Sequence, residues 1–266
     1  MVDYRVGIII QARNNSSRLP GKILLELPVN SGTSVLDHIQ SRCEKIAGVK
    51  TIIATTDSPK DDIIANKYKR VFRGSEKDVL ERYYYAAKQY GFKHIVRLTG
   101  DNPCVDYNIL QNLINIHVNG QYDFTITEGL PLGMNFEIMT FETLEIAFLD
   151  ASEKSDREHV TLYFDKIDKL NKKTVYFEDQ LEDKIRVTMD YPSDYAFLNL
   201  LFSNLNRDFT FSDLKSYVKE YPWLLDINKN YQKRIFDKKE DEFREAVNLL
   251  NELEMYESSR ALKDLI

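Results

Sequence analysis

Apolar residues in this chain recur with two periods, and the alternation between them predicts its architecture. Val6 to Ile10 is a β-branched run broken only by Gly7, the pattern of a strand covered on both faces. Thr51 to Thr55 and His94 to Thr99 repeat it. Between these runs the apolar spacing changes to three and four. Val35, Ile39, Cys43 and Ile46 follow Thr33 or Ser34 as N-cap, and Asp61 to Lys69 makes a shorter helix with Ile64 and Tyr68 inward. Val79, Leu80, Tyr83, Tyr84, Ala87 and Tyr90 form a wide stripe between Ser75 as N-cap and Gly91 as stop, and Ile109, Leu110, Leu113, Ile114 and His117 form another. Strand alternating with helix at this spacing predicts right-handed βαβ units and a mostly parallel sheet.

The second half is more mixed. Tyr122 to Thr127 and Asn135 to Thr140 read as strands around the loop from Gly129 to Gly133, and Thr174 to Phe177 and Ile185 to Met189 as two more. Helices are predicted through Leu144, Ala147, Phe148 and Ala151, and through Tyr195, Leu198, Leu201, Phe202 and Leu205. From Asn228 the chain reads helical and charged, with Lys238 to Glu242 as a solvated helix start and Phe243, Val247, Leu250 and Leu253 as the apolar face. No repeat and no Gly/Pro/Ser-rich linker divides it. The expectation is an α/β domain at 1–227 with a C-terminal helical extension at 228–266.

A chain of 266 residues buries ~70% or more of its unfolded surface and needs no disulfide or metal staple. Its two cysteines, Cys43 and Cys104, lie in no CxxC or His-rich pattern and read as packed thiols. No run approaches the ~20 apolar residues of a membrane span, and the N-terminus lacks a signal-type apolar region. A soluble, cytoplasmic protein is expected. Lys and Arg number 36 against 42 Asp and Glu, a formal net charge of -6 that disfavours nucleic acid and anionic membrane as partners. The distribution carries more than the sum. From Tyr4 to Leu25 there are four cations, Arg5, Arg13, Arg18 and Lys22, and no carboxylate.

That basic segment includes Gln11 to Lys22, directly after the first buried strand. Open α/β sheets bind ligands beyond the carboxyl ends of their strands. Guanidinium groups, an ammonium, hydroxyls, carboxamides and free backbone N–H groups are the parts of a polyphosphate cradle. The Gly-Lys pair is not a Walker loop, because the first glycine and the final Ser/Thr of that spacing are missing. Asp101, in a Gly-Asp-Asn-Pro turn, and Asp190 each end a predicted strand. Two carboxylates so placed suit Mg²⁺, which takes one or two protein carboxylates plus phosphate oxygens. The competing role for each is helix N-capping.

The run IIIQARNNSSRLPGKILLEL resembles the signature of the nucleotide-sugar cytidylyltransferases, most closely the spore-coat polysaccharide family and more distantly the KDO and N-acylneuraminate enzymes. The resemblance continues in FRGSEKDVLERY, RLTGDNPCVD, GMNFEIMTFETLEIA, DREHVT and RVTMDYPSDY and covers roughly residues 5 to 205. It implies a three-layer α/β/α fold of the glycosyltransferase-A kind. The implied reaction is transfer of CMP from CTP to a sugar, acidic sugar, or sugar or polyol phosphate, with release of pyrophosphate.

By this resemblance, Arg13, Lys22 and Asp101 are catalytic, and Asp101 and Asp190 hold Mg²⁺. Gln11, Ala12, Arg13, Ser17, Arg18, Lys22, Arg73, Ser75 and Asp78 contact the nucleotide, and Glu137, Arg157, Glu158 and His159 lie near the acceptor. A surface ion pair is the alternative for Arg73, and a capping and ion-pair cluster for Arg157 to His159, which stand at a predicted helix start. Relatives are commonly homodimers, so a homodimer is expected. The residues leave open a guanylyl- or uridylyltransferase acting on a hexosamine 1-phosphate, and a non-catalytic nucleotide-binding subunit.

Overall fold

The computed structural model describes residues 6–177, 184–231 and 239–264; Arg5 and Lys238 lie outside them. Seven strands build one sheet: β1 (Val6–Gln11), β2 (Val49–Thr56), β3 (Val71–Gly74), β4 (His94–Thr99), β5 (Phe124–Glu128), β6 (Glu137–Thr140) and β7 (Lys172–Tyr176). Their order is β3-β2-β1-β4-β6-β5-β7. β1 runs parallel to β2 and β4, β2 to β3, and β5 to β7, while β6 is antiparallel to both its neighbours. The helices are α1 (Val35–Cys43), α2 (Asp62–Lys67), α3 (Val79–Tyr90), α4 (Tyr107–Asn119), α5 (Phe141–Asp150), α6 (Lys154–His159), α7 (Pro192–Asn204), α8 (Phe211–Glu220), α9 (Lys239–Glu252) and α10 (Tyr256–Lys263).

Period-two alternation divides the core between the two faces of the sheet. Ile8, Ile10, Val96 and Leu98 pack with Leu36 and Ile39 of α1, Leu113 of α4, and Leu198 and Leu201 of α7. Ile9, Ile52, Ile95 and Met139 pack on the other face with Leu80 and Tyr83 of α3 and Leu144 of α5. The result is a three-layer α/β/α arrangement with every central strand covered twice, as the continuous apolar runs require. By contact the chain separates into two compact units, Met1–Asn230 and Tyr231–Ile266. The second contains α9 and α10; Glu240, Asp241 and Glu242 fill the first turn of α9, where the helix dipole favours negative charge.

Three expectations need correction, and one helix is new. α3 is capped by Asp78, whose carboxylate accepts from the Glu81 N–H at 2.8 Å, not by Ser75. Ser75 stands one turn too early and accepts from the Asp78 N–H at 3.1 Å instead. Arg157, Glu158 and His159 close α6 rather than open a helix, which matches their cations to a helix C-terminus. Ile185 to Met189 is extended and buried but joins no sheet. Val187 N–H donates to Leu132 and Met189 N–H to Asp101, both at 2.9 Å, so the segment bridges two loops. α8 was not predicted, although Thr210 and Asp213 form a capping box before Phe211, Leu214 and Val218.

One buried polar chain makes the fold sensitive to pH. His117 is fully buried and bonds Thr125 Oγ1 at 2.8 Å and His94 Nδ1 at 3.1 Å. Burial, with the neighbouring His94, pushes its pKa down to about 4. A depressed histidine stays neutral in the native state while the unfolded chain takes up a proton near pH 6.5, so stability falls as pH drops from about 6.5 towards 4. At 1.36 kcal/mol per pKa unit, the loss is about 3 kcal/mol over that window. Urea midpoints at pH 7, 6 and 5 should therefore decline less steeply in His117→Gln than in the parent chain. Equal slopes would show that His117 does not carry the effect.

Candidate active site

The loop after β1 is pinned from both sides. Ala12 N–H donates to the Ala54 carbonyl of β2 at 3.1 Å, and Gly100 N–H donates to the Gln11 carbonyl at 2.7 Å, so the ends of β1, β2 and β4 stand side by side. Buried Asp61 accepts the Asn14 N–H at 2.7 Å and the hydroxyl of Thr56. Among the described residues, the backbone N–H groups of Asn15 to Arg18 have no protein partner, and neither does the exposed Arg13 side chain. A run of open amides flanked by guanidinium groups is an anion-binding concavity.

Lys22 is held in place by its neighbours. Gly21 adopts φ +67°, a left-handed conformation that costs other residues roughly 1 kcal/mol, and Ile23 is buried. The lysine stem then runs inward and its ammonium lies 2.6 Å from Asp101 Oδ2 and 2.9 Å from Asp190 Oδ1. Asp190 also receives Arg18 at 2.7 Å and Arg186 at 3.1 Å, and the Arg18 guanidinium sits over the Tyr191 ring. Burial alone would raise the Asp190 pKa; the hydrogen bond and charge of Lys22, with Arg18 and Arg186, outweigh it and hold the carboxyl below the usual range. Neither aspartate caps a helix, because Asp106 caps α4 and the Tyr191–Asp194 box opens α7.

Beneath this cluster lies a support that sequence reasoning missed. Asp194 is fully buried and accepts from Arg186 Nε at 2.8 Å, the Asp190 N–H at 2.9 Å, the Tyr191 N–H at 3.0 Å and Asn228 Nδ2 at 2.9 Å. The available signal was the spacing Arg186, Asp190, Asp194, four residues apart on either side of a strand end. The close packing around this segment extends to Gly133. Its φ is +104°, and a Cβ there would come within 2.6 Å of the Thr188 nitrogen.

The other predicted residues are distributed more widely. Arg73 donates to the Thr56 and Ser58 carbonyls at 3.0 and 2.9 Å and pairs with Asp62 at 2.6 Å. Asp78 pairs with Arg157 at 2.5 Å, and Arg157 also donates to the Phe148 and Ala151 carbonyls, so both act between α3, α5 and α6. Ser17, Glu158 and His159 are exposed. Of the acceptor set, Glu137 lines a cavity of about 130 Å³ beside the Asp101 turn. There it pairs with Arg97 at 2.8 Å and accepts from Thr161 Oγ1 at 3.1 Å. The sequence signal for Arg97 was a charge inside an otherwise apolar strand. Thr161 follows an uncommon turn: buried Val160 has φ 62° and ψ -60°, with Thr161 N–H donating to the His159 carbonyl. This γ-turn costs a β-branched residue of order 1–3 kcal/mol.

The family model "Cytidylyltransferase" matches residues 7–242. The spore coat polysaccharide biosynthesis protein SpsF of Bacillus subtilis is 35% identical over 230 residues, covering 80% of this chain and 94% of that protein. An 8-amino-3,8-dideoxy-manno-octulosonate cytidylyltransferase of Shewanella baltica is 26% identical over 193 residues, 70% of each chain. A cytidylyltransferase structure from Leptospira borgpetersenii superposes with a TM-score of 0.75 at 32% identity, covering 87% of this chain and 99% of the other.

Truncating Asp194 to Ala would leave Arg186 and two backbone N–H groups without their buried acceptor. Removing one partner of such a pair costs ~3–5 kcal/mol. Thermal unfolding of Asp194→Ala should fall by about 10 °C, given ~2–4 °C per kcal/mol for a chain of this size. A fall below ~2 °C would contradict the supporting role assigned to it.

Proposed function

The chain belongs to the cytidylyltransferase family, and on that premise we propose that it transfers CMP from CTP to a sugar-like acceptor for surface-glycan synthesis. The acceptor class is a sugar, an acidic sugar, or a sugar or polyol phosphate. The observation that supports this most directly is the convergence of Asp101 and Asp190 on Lys22, beside a loop whose amides and guanidinium groups are open.

The cluster also bears on a divalent ion. Carboxylate oxygens from two chain segments already share one cation, the Lys22 ammonium, at 2.6 and 2.9 Å. Among the described residues no group of three or more His, Cys, Asp or Glu forms a metal cage. Two carboxylates suffice for Mg²⁺, which completes its shell with water and phosphate oxygens. We assign Asp101 and Asp190 as its ligands; when bound, Mg²⁺ would neutralise triphosphate charge and polarise the α-phosphate.

The residues divide the remaining work. Lys22, released from the carboxylates, reaches the α-phosphate as a point charge, and Arg13 and Arg18 hold the phosphates that leave. An acceptor oxygen bonds to the α-phosphorus as the bond to the bridging oxygen breaks. Pyrophosphate departs, and the acceptor proton passes to solvent. Positioning and charge, rather than a covalent intermediate, carry the rate. Gln11 Oε1, buried with no partner among the described residues, is an acceptor that the 4-amino group of cytosine would satisfy, whereas uracil presents an oxygen there.

We place the activity in residues 1–227, with 228–266 as an extension, although Asn228 already braces Asp194. No helix among the described residues is long and apolar enough to cross a membrane. Cys43 and Cys104 are buried and unpaired, which supports a reducing, cytoplasmic setting; a homodimer belongs to the same reading.

Pyrophosphate release should be measured with CTP, UTP, GTP and ATP in Mg²⁺ over an acceptor panel. CTP should be preferred, and Lys22→Met and Asp101→Asn should each lower kcat by ~100-fold or more. Preference for GTP or UTP would move the chain to the guanylyl- or uridylyltransferases. CTP binding that survives Asp101→Ala, with no turnover in the parent chain, would favour a regulatory subunit.

A further inference from the structure

Arg97 and Glu137 are direct cross-strand partners in the antiparallel β4/β6 ladder. Their ion pair is therefore fixed by strand register and not by chance contact of surface side chains. The Arg97 side chain is only 16% exposed, and among the described residues its Nη1 alone is engaged, by Glu137 Oε2 at 2.8 Å. Nε is buried with no hydrogen-bond partner among the described residues. A guanidinium offers carboxylates and phosphates a two-donor edge, and here the Nε/Nη2 edge is the one left over.

The surroundings say what would occupy that edge. Arg97, Thr99, Asn102, Asn135 and Glu137 line the same cavity of about 130 Å³. Asn135 is already satisfied, donating to the Leu130 carbonyl at 2.9 Å and accepting from Thr127 at 3.1 Å. Asn102 Oδ1, by contrast, is buried without a partner among the described residues and calls for a donor such as a hydroxyl. The cavity adjoins Asp101 through the turn between Thr99 and Asn102, on the β6 side of β4, whereas the phosphate loop lies on the β1 side. One anionic group and one nearby hydroxyl, within reach of the α-phosphate, describe one end of a polyhydroxylated acid.

We propose that Arg97 is the specificity-determining residue that pairs with an anionic group of the acceptor, a carboxylate or a phosphate, in this cavity. The inference rests on the cytidylyl-transfer reading and adds the acceptor's charge to it. Glu137 and Thr161 are positioning residues. Glu137 takes one guanidinium donor and so fixes the plane of the guanidinium. Thr161 Oγ1 holds the other Glu137 oxygen at 3.1 Å, and the strained turn at Val160 aims Thr161 at it. Strain maintained at a buried position next to a ligand cavity is the expected signature of such positioning.

The test uses the full chain with CTP and Mg²⁺ and three acceptor sets: 2-keto-3-deoxy sugar acids, hexose 1-phosphates and the matching neutral sugars. Calorimetry of CTP binding runs in parallel. An anionic set should turn over and the neutral set should not, and whichever anionic set is used identifies the group as carboxylate or phosphate. Arg97→Gln should raise acceptor KM ~50-fold or more, as loss of a bidentate charged pair implies, with CTP affinity within about twofold of the parent. Arg97→Lys should recover little of it, since an ammonium lacks the fork. Thr161→Val should raise acceptor KM ~5-fold and Thr161→Ser should restore it, as expected for a single positioning hydrogen bond. Neutral sugars used as well as anionic ones, or an Arg97→Gln effect confined to CTP affinity, would overturn the proposal. CTP binding without turnover of any anionic acceptor would overturn it too while leaving the nucleotide site intact. Absence of CTP binding would remove the underlying reading and this inference with it.

Discussion

One ammonium group determines how the carboxylates at the end of the sheet are assembled. Lys22 lies between Asp101, which follows β4, and Asp190, which precedes α7, at 2.6 and 2.9 Å. Without a cation there, two carboxylates of different chain segments would face each other at the mouth of the sheet. The surrounding groups are balanced in the same way: Arg18, Lys22 and Arg186 stand against Asp101, Asp190 and Asp194. The cluster is neutral as it stands. On the proposed reading, a triphosphate entering with a divalent ion would bring net negative charge, for which Arg13, without a partner among the described residues, would supply a cation. Arrival of either component alone would leave the cluster with an unpaired charge.

What the amino-acid order revealed in advance is what local chemistry controls. The β1 run, the capping residue Ser34 and the cation-rich loop are each written in consecutive residues. Asp101 stands just after β4, and Asp190 after an apolar run that reads as a strand although it joins no sheet. The features that escaped are those in which distant residues complete one another. Arg97 and Glu137 are forty positions apart and meet only through the register of an antiparallel pair. Ile185 to Met189 has strand composition, yet its N–H groups find the carbonyls of Leu132 and Asp101 in two loops. Ser75 and Asp78 are both good caps; the helix starts after Asp78, one turn later, and Arg157 of α6 binds the same carboxylate.

The acceptor side illustrates the same limit. Arg157, Glu158 and His159 looked like a reactive triplet because three polar residues stood together. In the fold Arg157 turns to Asp78 and two carbonyls, and Glu158 and His159 turn to solvent. The triplet's contribution is carried by its backbone, since the His159 carbonyl closes the turn that delivers Thr161 to Glu137. Polar density along a chain and polar convergence in space are separate properties.

The reversed strand β6 has a consequence for the loop that leads into it. Because β6 runs against β4 and β5, its first residue, Glu137, and the last of β5, Glu128, lie at the same edge of the sheet. The connection between them, residues 129–136, begins and ends at that edge and crosses neither helical layer. It takes part in no βαβ crossover, yet it is tied to the segment before Asp190: Leu132 accepts from Val187, and Gly133 lies against Thr188. On the proposed reading, a change in this one short loop would be felt both at the acceptor cavity and, through Val187 and Thr188, at Asp190.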